Sequence, residues 1–182
     1  MRGRGSAPVL ETARLRLREL SVGDAAFVLE LVNEPGWLRF IGDKGVRTLD
    51  DARKYVEDGP AASYRKHGFG LYLVEEKASG VPLGICGLVR REELDDVDVG
   101  FALLERFQGR GYARESAEAV VDLARSRFGL ARLVAITDPG NEASIRVLER
   151  IGFSFERRLR LRADGAELAL YALTRSTSGT PR

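Results

Sequence analysis

Residues 14–20 alternate polar and apolar side chains (Arg14, Leu15, Arg16, Leu17, Arg18), the period-2 pattern of a half-buried strand. Ser21 and Asp24 then predict a helix start, a capping box with aspartate in place of glutamate, and Phe27, Val28, Leu31 and Val32 supply its apolar stripe. Pro35-Gly36 is expected to end that helix and leave residues 37–46 as a loop. Thr48 caps a second expected helix, from Leu49 to about His67, which Gly68 stops. Two apolar runs, 69–74 and 81–89, are joined through Ala78-Ser79-Gly80 and predict an antiparallel hairpin. Val97, Val99, Phe101 and Leu103 share one face of a further strand. From Gly111 the period changes: Ala113, Ala117, Val120, Val121, Ala124 and Phe128 fall on one face of a helix.

Strand character returns over 130–137, Asp138-Pro139-Gly140 turns the chain, and 141–151 reads as a short helix ending at Gly152. Two last strands, 154–161 and 167–174, flank the turn Ala163-Asp164-Gly165. The order is that of a mixed α/β domain with antiparallel strands clustered in its first half. Residues 1–9 and 176–182 are expected to be flexible, and 10–175 to form a single domain.

Composition narrows the function classes. The 29 basic and 27 acidic residues nearly cancel, so no strong field points to nucleic acid or membrane. One local bias is cationic: Arg157, Arg158, Arg160 and Arg162 fall within six residues, either a solvated strand face or a surface for an acidic partner. Cys86 is the only cysteine and lies in an apolar stretch, which predicts a buried, inert thiol. With one histidine, His67, no typical zinc site can be built, and no metal is expected. No signal-peptide pattern and no apolar run of about 20 residues is present, so a cytoplasmic protein is expected.

Candidate chemistry concentrates between Leu103 and Ala117. A strand delivers the chain, Gly109 and Gly111 remove side chains, and a helix begins at once. Glycines allow close approach of backbone N–H groups, the first turn of a helix leaves its N–H groups unpaired, and the macrodipole adds positive charge. Such a place holds a pyrophosphate, with Arg110 and Arg114 as added cations. A plain tight turn would equally account for two glycines. The dinucleotide-binding fingerprint does not fit, because the third glycine is missing, and there is no Walker A sequence.

The segment Gln108-x-x-Gly111-x-Ala113 resembles the acyl-CoA motif of the GNAT N-acetyltransferases. The preceding residues 97–104 look like that family's strand. Asn141-Glu142-Ala143-Ser144 and Glu149-Arg150-Ile151-Gly152-Phe153 are similar to its Asn-x-x-Ser and Glu-x-x-Gly-Phe helix. The opening Glu11-Thr12-Ala13-Arg14-Leu15-Arg16-Leu17-Arg18 resembles the RimJ/RimL branch, the ribosomal-protein N-acetyltransferases and their relatives. The resemblance implies the GNAT fold: about seven strands, largely antiparallel, with a splayed central parallel pair, and about four helices. It implies acetyl-CoA as cofactor, with pantetheine against the backbone of Phe101, Ala102 and Leu103. It places the pyrophosphate on Gln108, Gly109, Arg110, Gly111, Tyr112 and Ala113, and it implies an amine acceptor, either a protein N-terminus or a small molecule. Relatives are often dimers, so a homodimer is possible.

Two helix residues carry double readings. Asn141 is explained as an N-cap, and the resemblance also gives its amide to the cofactor. Ser144 is either an ordinary first-turn residue or the donor to the leaving thiolate. In the RimI-type branch a glutamate stands five residues before the helix asparagine and a tyrosine seven after; here those positions hold Ile136 and Leu148, which cannot move a proton. That departure leaves Asp98, read either as an exposed strand carboxylate or as a base acting through water. It also keeps a second reading open, a non-catalytic acyl-CoA-binding sensor. Trp37 and Phe40 in the expected loop, and Tyr171 in the last strand, are the candidate walls of an acceptor groove, with packing as the other reading of the loop aromatics.

Overall fold

The structure is a computed structural model and describes residues 7–174. One sheet organises it, with eight strands in the order β1-β2-β3-β4-β5-β6-β8-β7. These are β1 (Pro8–Glu11), β2 (Leu15–Glu19), β3 (Leu71–Glu76), β4 (Pro82–Val89), β5 (Val97–Leu103), β6 (Arg132–Thr137), β7 (Ser154–Leu159) and β8 (Leu168–Thr174). Every neighbouring pair is antiparallel except β5 and β6. The helices are α1 (Ala25–Leu31), α2 (Pro35–Phe40), α3 (Leu49–Val56), α4 (Ala62–His67), α5 (Tyr112–Ser126) and α6 (Glu142–Arg150).

Alternation in the strands sorts the side chains onto two faces. On one face Leu15, Leu17, Val97, Val99, Leu133 and Ala135 pack with Ala117, Val120, Val121 and Ala124 of α5 and with Leu148 of α6. On the other, Leu20, Leu73, Ile85 and Leu104 pack with Val28, Leu31, Val32, Ala52 and Val56 of α1 and α3. Leu15, Leu17, Leu73 and Leu88 have no exposed surface, and burying each such side chain is worth about 1.5–3 kcal/mol. Arg18, at 9% exposure, is the polar exception in β2; its guanidinium lies 2.8 Å from Asp24 and 2.9 Å from Glu75.

Most expected elements are present, and three differ. The strand count is eight, because Pro8–Glu11 pairs with β2; this strand begins inside the stretch 1–9 expected to be flexible. It is short, half-exposed and lacks alternation, so pairing with β2 rather than its own pattern defines it. Pro35-Gly36 does not open a loop. Proline sits at the first position of α2, where its missing N–H would be unpaired in any case, so Trp37 and Phe40 are helical. The expected helix 49–67 is interrupted by a π-helical stretch, Glu57–Ala61, around the buried Pro60. Proline cannot donate to the helix ladder, and the wider turn absorbs that missing bond. Strand β7 lies outside β8, at the sheet edge. Residues 176–182 lie outside the described residues.

Candidate active site

The glycine turn after β5 has the geometry that the sequence suggests. Gly109 and Gly111 both adopt left-handed backbone, at φ +72° and +82°, where side chains are strongly disfavoured. Gly111 is the N-cap of α5, and its carbonyl accepts the first helical bond, from Glu115 at 3.0 Å. The N–H groups of Tyr112, Ala113 and Arg114 therefore have no helical partner. Space beyond Gly109 is open, and Arg110 is exposed beside the turn. Tyr112 joins through its backbone only, because its ring is buried and its hydroxyl bonds Glu76 at 3.1 Å. The Gln108 side chain closes the turn, donating to the Leu103 carbonyl at 3.1 Å.

One part of the turn's support was not visible in the sequence. Arg14, in the β1–β2 connection, donates to the Arg110 carbonyl at 3.0 Å and to Glu115 at 2.7 Å, and lies over the Tyr112 ring at 4.5 Å. Thr12 adds a 2.6 Å bond to the same glutamate. A trans peptide points its C=O and N–H in opposite directions, so holding the Arg110 carbonyl aims the Gly111 N–H away from Arg14. Burial raises the pKa of Glu115, but the bonds from Thr12 and Arg14 outweigh it, and the net shift is downward. The carboxylate that braces the turn is thus held ionised.

The second component is a gap in the sheet. Register between β5 and β6 covers only Val97–Leu133 and Asp98–Val134, after which the strands separate. The Leu104 N–H bonds Leu83 on β4, so by alternation the backbone groups of Ala102 and Gly100 also face β4. Those of Val99, Phe101 and Leu103 face the gap. Of the three residues whose backbone is expected to meet pantetheine, Phe101 and Leu103 are therefore directed into the opening, and Ala102 is spent on the sheet.

Asp98 stands where the strands part. It is 1% exposed, so the expected exposed carboxylate is corrected: its face is covered, and it accepts from Arg91 at 2.8 Å and from the Ile136 N–H at 3.2 Å. Burial raises its pKa, opposed by the Arg91 guanidinium. The carboxylate replaces a strand partner for Ile136, and so belongs to the framework of the gap. Across the gap, Asn141 caps α6, its Oδ1 accepting from the Ser144 N–H at 3.2 Å. Among the described residues the Asn141 Nδ2 and the Ser144 hydroxyl have no protein partner, so both remain available to a ligand.

Of the expected acceptor walls, Tyr171 lies in the last strand as expected, whereas Trp37 and Phe40 lie in α2 rather than in a loop. Trp37 is 6% exposed within the core of α1, α2 and α3, with no protein partner for its indole N–H. Phe40 is half-buried under the Arg39 guanidinium. Tyr171 is buried on the face of α5 and α6, edge-on to Phe155. On the other face lies a cavity of about 810 Å³, between α3, the π-helical stretch and α4 on one side and the ends of β3 and β4 on the other. Its floor includes Leu71 and Val89, the two side chains nearest to Gly100, and it adjoins β5 just beyond Asp98. Tyr55 and Lys44 also line it. No periodicity marks these residues, which come from four separate elements.

Cys86 is fully buried and its thiol is pushed up to about 12 by that burial, which makes it inert as the sequence suggested. Among the described residues no helix is long and apolar enough to cross a membrane.

The chain combines a left-handed glycine turn at a helix start with a splayed parallel strand pair, and residues 14–154 match the family described as the acetyltransferase (GNAT) domain. The chain belongs to this family and is a GNAT N-acetyltransferase. Among curated relatives, the Bacillus subtilis (strain 168) protein YkkB, described as uncharacterized, is 32% identical over 83% of this chain and 88% of its own. The N-acetyltransferase YoaA of the same organism is 27% identical over 84% and 86%. An acetyltransferase structure from Agrobacterium tumefaciens str. C58 superposes with a TM-score of 0.78 at 29% identity, covering 93% of this chain and 96% of that one. At the level of fold alone, the likeness extends to RimL, the ribosomal L7/L12 α-N-protein acetyltransferase in complex with coenzyme A.

Proposed function

We propose that this chain moves the acetyl group of acetyl-CoA directly to a primary amine, a protein N-terminal amine being favoured over a small-molecule one. The observation that carries the reading is the pairing of the left-handed Gly109–Gly111 turn with the backbone of Val99, Phe101 and Leu103 facing an open gap. The fit is physical: unpaired helix N–H groups suit a pyrophosphate, and an unpaired strand edge suits an amide-bearing arm. Acetyl-CoA supplies an activated acyl thioester there.

The residues of the chain supply position and polarity. The Phe101 N–H is placed to polarise the thioester carbonyl. The amine forms the new N–C bond as the C–S bond breaks; the amine's proton passes to water and from it to Ser144 as the Ser144 hydroxyl gives its own proton to the leaving sulfur, so the serine ends protonated. No covalent enzyme intermediate is required, in keeping with the inert thiol of Cys86. Asp98 acts as a positioning residue that holds Ile136 and the mouth of the gap. Asp98→Asn is therefore expected to leave the shape of the rate–pH profile unchanged while lowering the rate; loss of its acidic limb would make Asp98 the base instead. Thiol release from acetyl-CoA across N-terminal peptides, amino acids, polyamines and aminoglycosides tests the whole reading. Tight acetyl-CoA binding with no thiol release on any amine would overturn it.

A further inference from the structure

The cavity below Gly100 carries a charge pattern that catalysis at the thioester does not need. Lys44, Lys54, Lys66 and Arg90 line it, against the carboxylates of Asp51 and Asp58. Asp51 is committed elsewhere: it accepts the N–H groups of Arg47 and Thr48, both at 2.9 Å, at the start of α3. Among the described residues the three lysines have no ion-pair partner. Arg91, beside the cavity, is neutralised by Asp98, so the four lining cations Lys44, Lys54, Lys66 and Arg90 against the two carboxylates of Asp51 and Asp58 leave a formal excess of two positive charges. Although Lys44 is exposed along much of its length, the protein around its ammonium and the nearby Arg91 together lower its pKa. A cation in that position gains from an incoming anion.

We infer that the acceptor is a primary amine that bears a carboxylate or phosphate on the same molecule, the amine directed at the β5–β6 gap and the anion seated among Lys44, Lys54 and Lys66. This rests on the transfer reading above and narrows it. A volume of about 810 Å³ suits a small amino acid derivative or the first few residues of an acidic N-terminus. Polycations such as polyamines and aminoglycosides are disfavoured by the same field. Surrounding positive charge also disfavours the ammonium form of the acceptor, raising the fraction of reactive free amine. That effect removes part of the demand for the proton-moving pair that Ile136 and Leu148 replace.

The test uses full-length protein saturated with coenzyme A and titrated calorimetrically with matched pairs. One pair is a tetrapeptide with a free N-terminus and two glutamates, against its glutamine counterpart; the other is aspartate against its diamide. Thiol release is measured on the same pairs with acetyl-CoA. The anionic member is expected to bind about tenfold more tightly, with the preference shrinking as salt rises. Lys54→Glu/Lys66→Glu should abolish or reverse the preference, and Lys54→Gln/Lys66→Gln should reduce it, with acetyl-CoA affinity unchanged in both. Whichever pair shows the larger preference identifies the source, peptide or small molecule. Equal binding within each pair, tighter binding of spermidine, or an equal loss for both members in the variants would overturn the inference. Thiol release without any anionic preference sinks the inference alone. Anionic preference without thiol release keeps the binding site and sinks the transfer reading.

Discussion

Replacing Arg14 with alanine removes three interactions from the Gly109–Gly111 turn at once: the 3.0 Å bond to the Arg110 carbonyl, the 2.7 Å pair with Glu115 and the stacking on Tyr112. The arginine side chain is 47% exposed, so each is worth its screened value. An exposed ion pair contributes about 0.2–1 kcal/mol, and a cation over an exposed ring about 0.5–1 kcal/mol. A charged donor on a carbonyl adds about 1.5 kcal/mol, and the three are not additive because they share one guanidinium. About 1.5 kcal/mol of order in the turn is the reasonable sum, near a tenfold factor in affinity. The loss also leaves the Glu115 carboxylate without its arginine in the first turn of α5, close to the turn proposed to hold the phosphates. Arg14→Ala is thus expected to raise the acetyl-CoA Kd about tenfold, with kcat at saturating acetyl-CoA within about twofold and Tm lower by a few degrees. Calorimetric titration with acetyl-CoA, beside initial rates at a fixed amine, measures both. Arg14→Ala/Glu115→Gln should regain part of the affinity. An unchanged Kd in a folded Arg14→Ala protein would refute the reasoning, since the turn would then be ordered by its own backbone.

Further expectations follow from the same geometry. Gly111→Asp adds a side chain at φ +82° and a negative charge at the phosphate turn, and should abolish acetyl-CoA binding in a folded protein; retained affinity in calorimetry would remove the turn from the site. A Cβ at Gly87 would lie 2.0 Å from the Gly70 carbonyl oxygen, so Gly87→Ala should cost about 3 kcal/mol or more in urea unfolding. Gly36→Ala, with nothing within 4 Å, should be neutral or stabilising, and an equal loss for both would discredit the steric account. Burial pushes Asp24 up, but Arg18 and Ser21 outweigh it, so its folded pKa lies below the model-compound 3.8. A depressed acid contributes stability above its unfolded pKa and loses it as pH falls through the folded one. Asp24→Asn should therefore be less stable by about 3 kcal/mol at pH 7, a gap that narrows below about pH 4; a gap constant down to pH 3 would contradict the ion-pair account.

The sequence carried the parts of this molecule that depend on local spacing. Alternation in 14–20 located β2, and the change of period at Gly111 located α5 and with it the turn. Asn141 was readable as a cap because one residue type at one offset suffices. Positions fixed by distant chain were not readable. Arg14 looks like any polar residue of an alternating strand, and only folding brings it to Glu115, 101 residues away. Asp98 alternates as an exposed carboxylate would, yet it is buried, with the Arg91 guanidinium and the Ile136 N–H on its oxygens. Trp37 and Phe40 were misplaced because Pro35 starts a helix as readily as it ends one, and the preceding pattern does not distinguish the two. The cavity escaped altogether, since its lining is drawn from a loop, two helices, the π-helical stretch between them and two strand ends.

The brief contact between β5 and β6 divides the sheet into two plates, β1–β5 and β6–β8, whose facing strand edges meet through two residue pairs and the Asp98 carboxylate while the core under α5 and α6 spans both. A molecule lying along that seam completes it on both sides, so occupancy and rigidity become one equilibrium. The same coupling makes the seam a natural point of response: a substitution far out on either plate, by altering how the two lie together, changes how readily the seam is filled without touching its occupant.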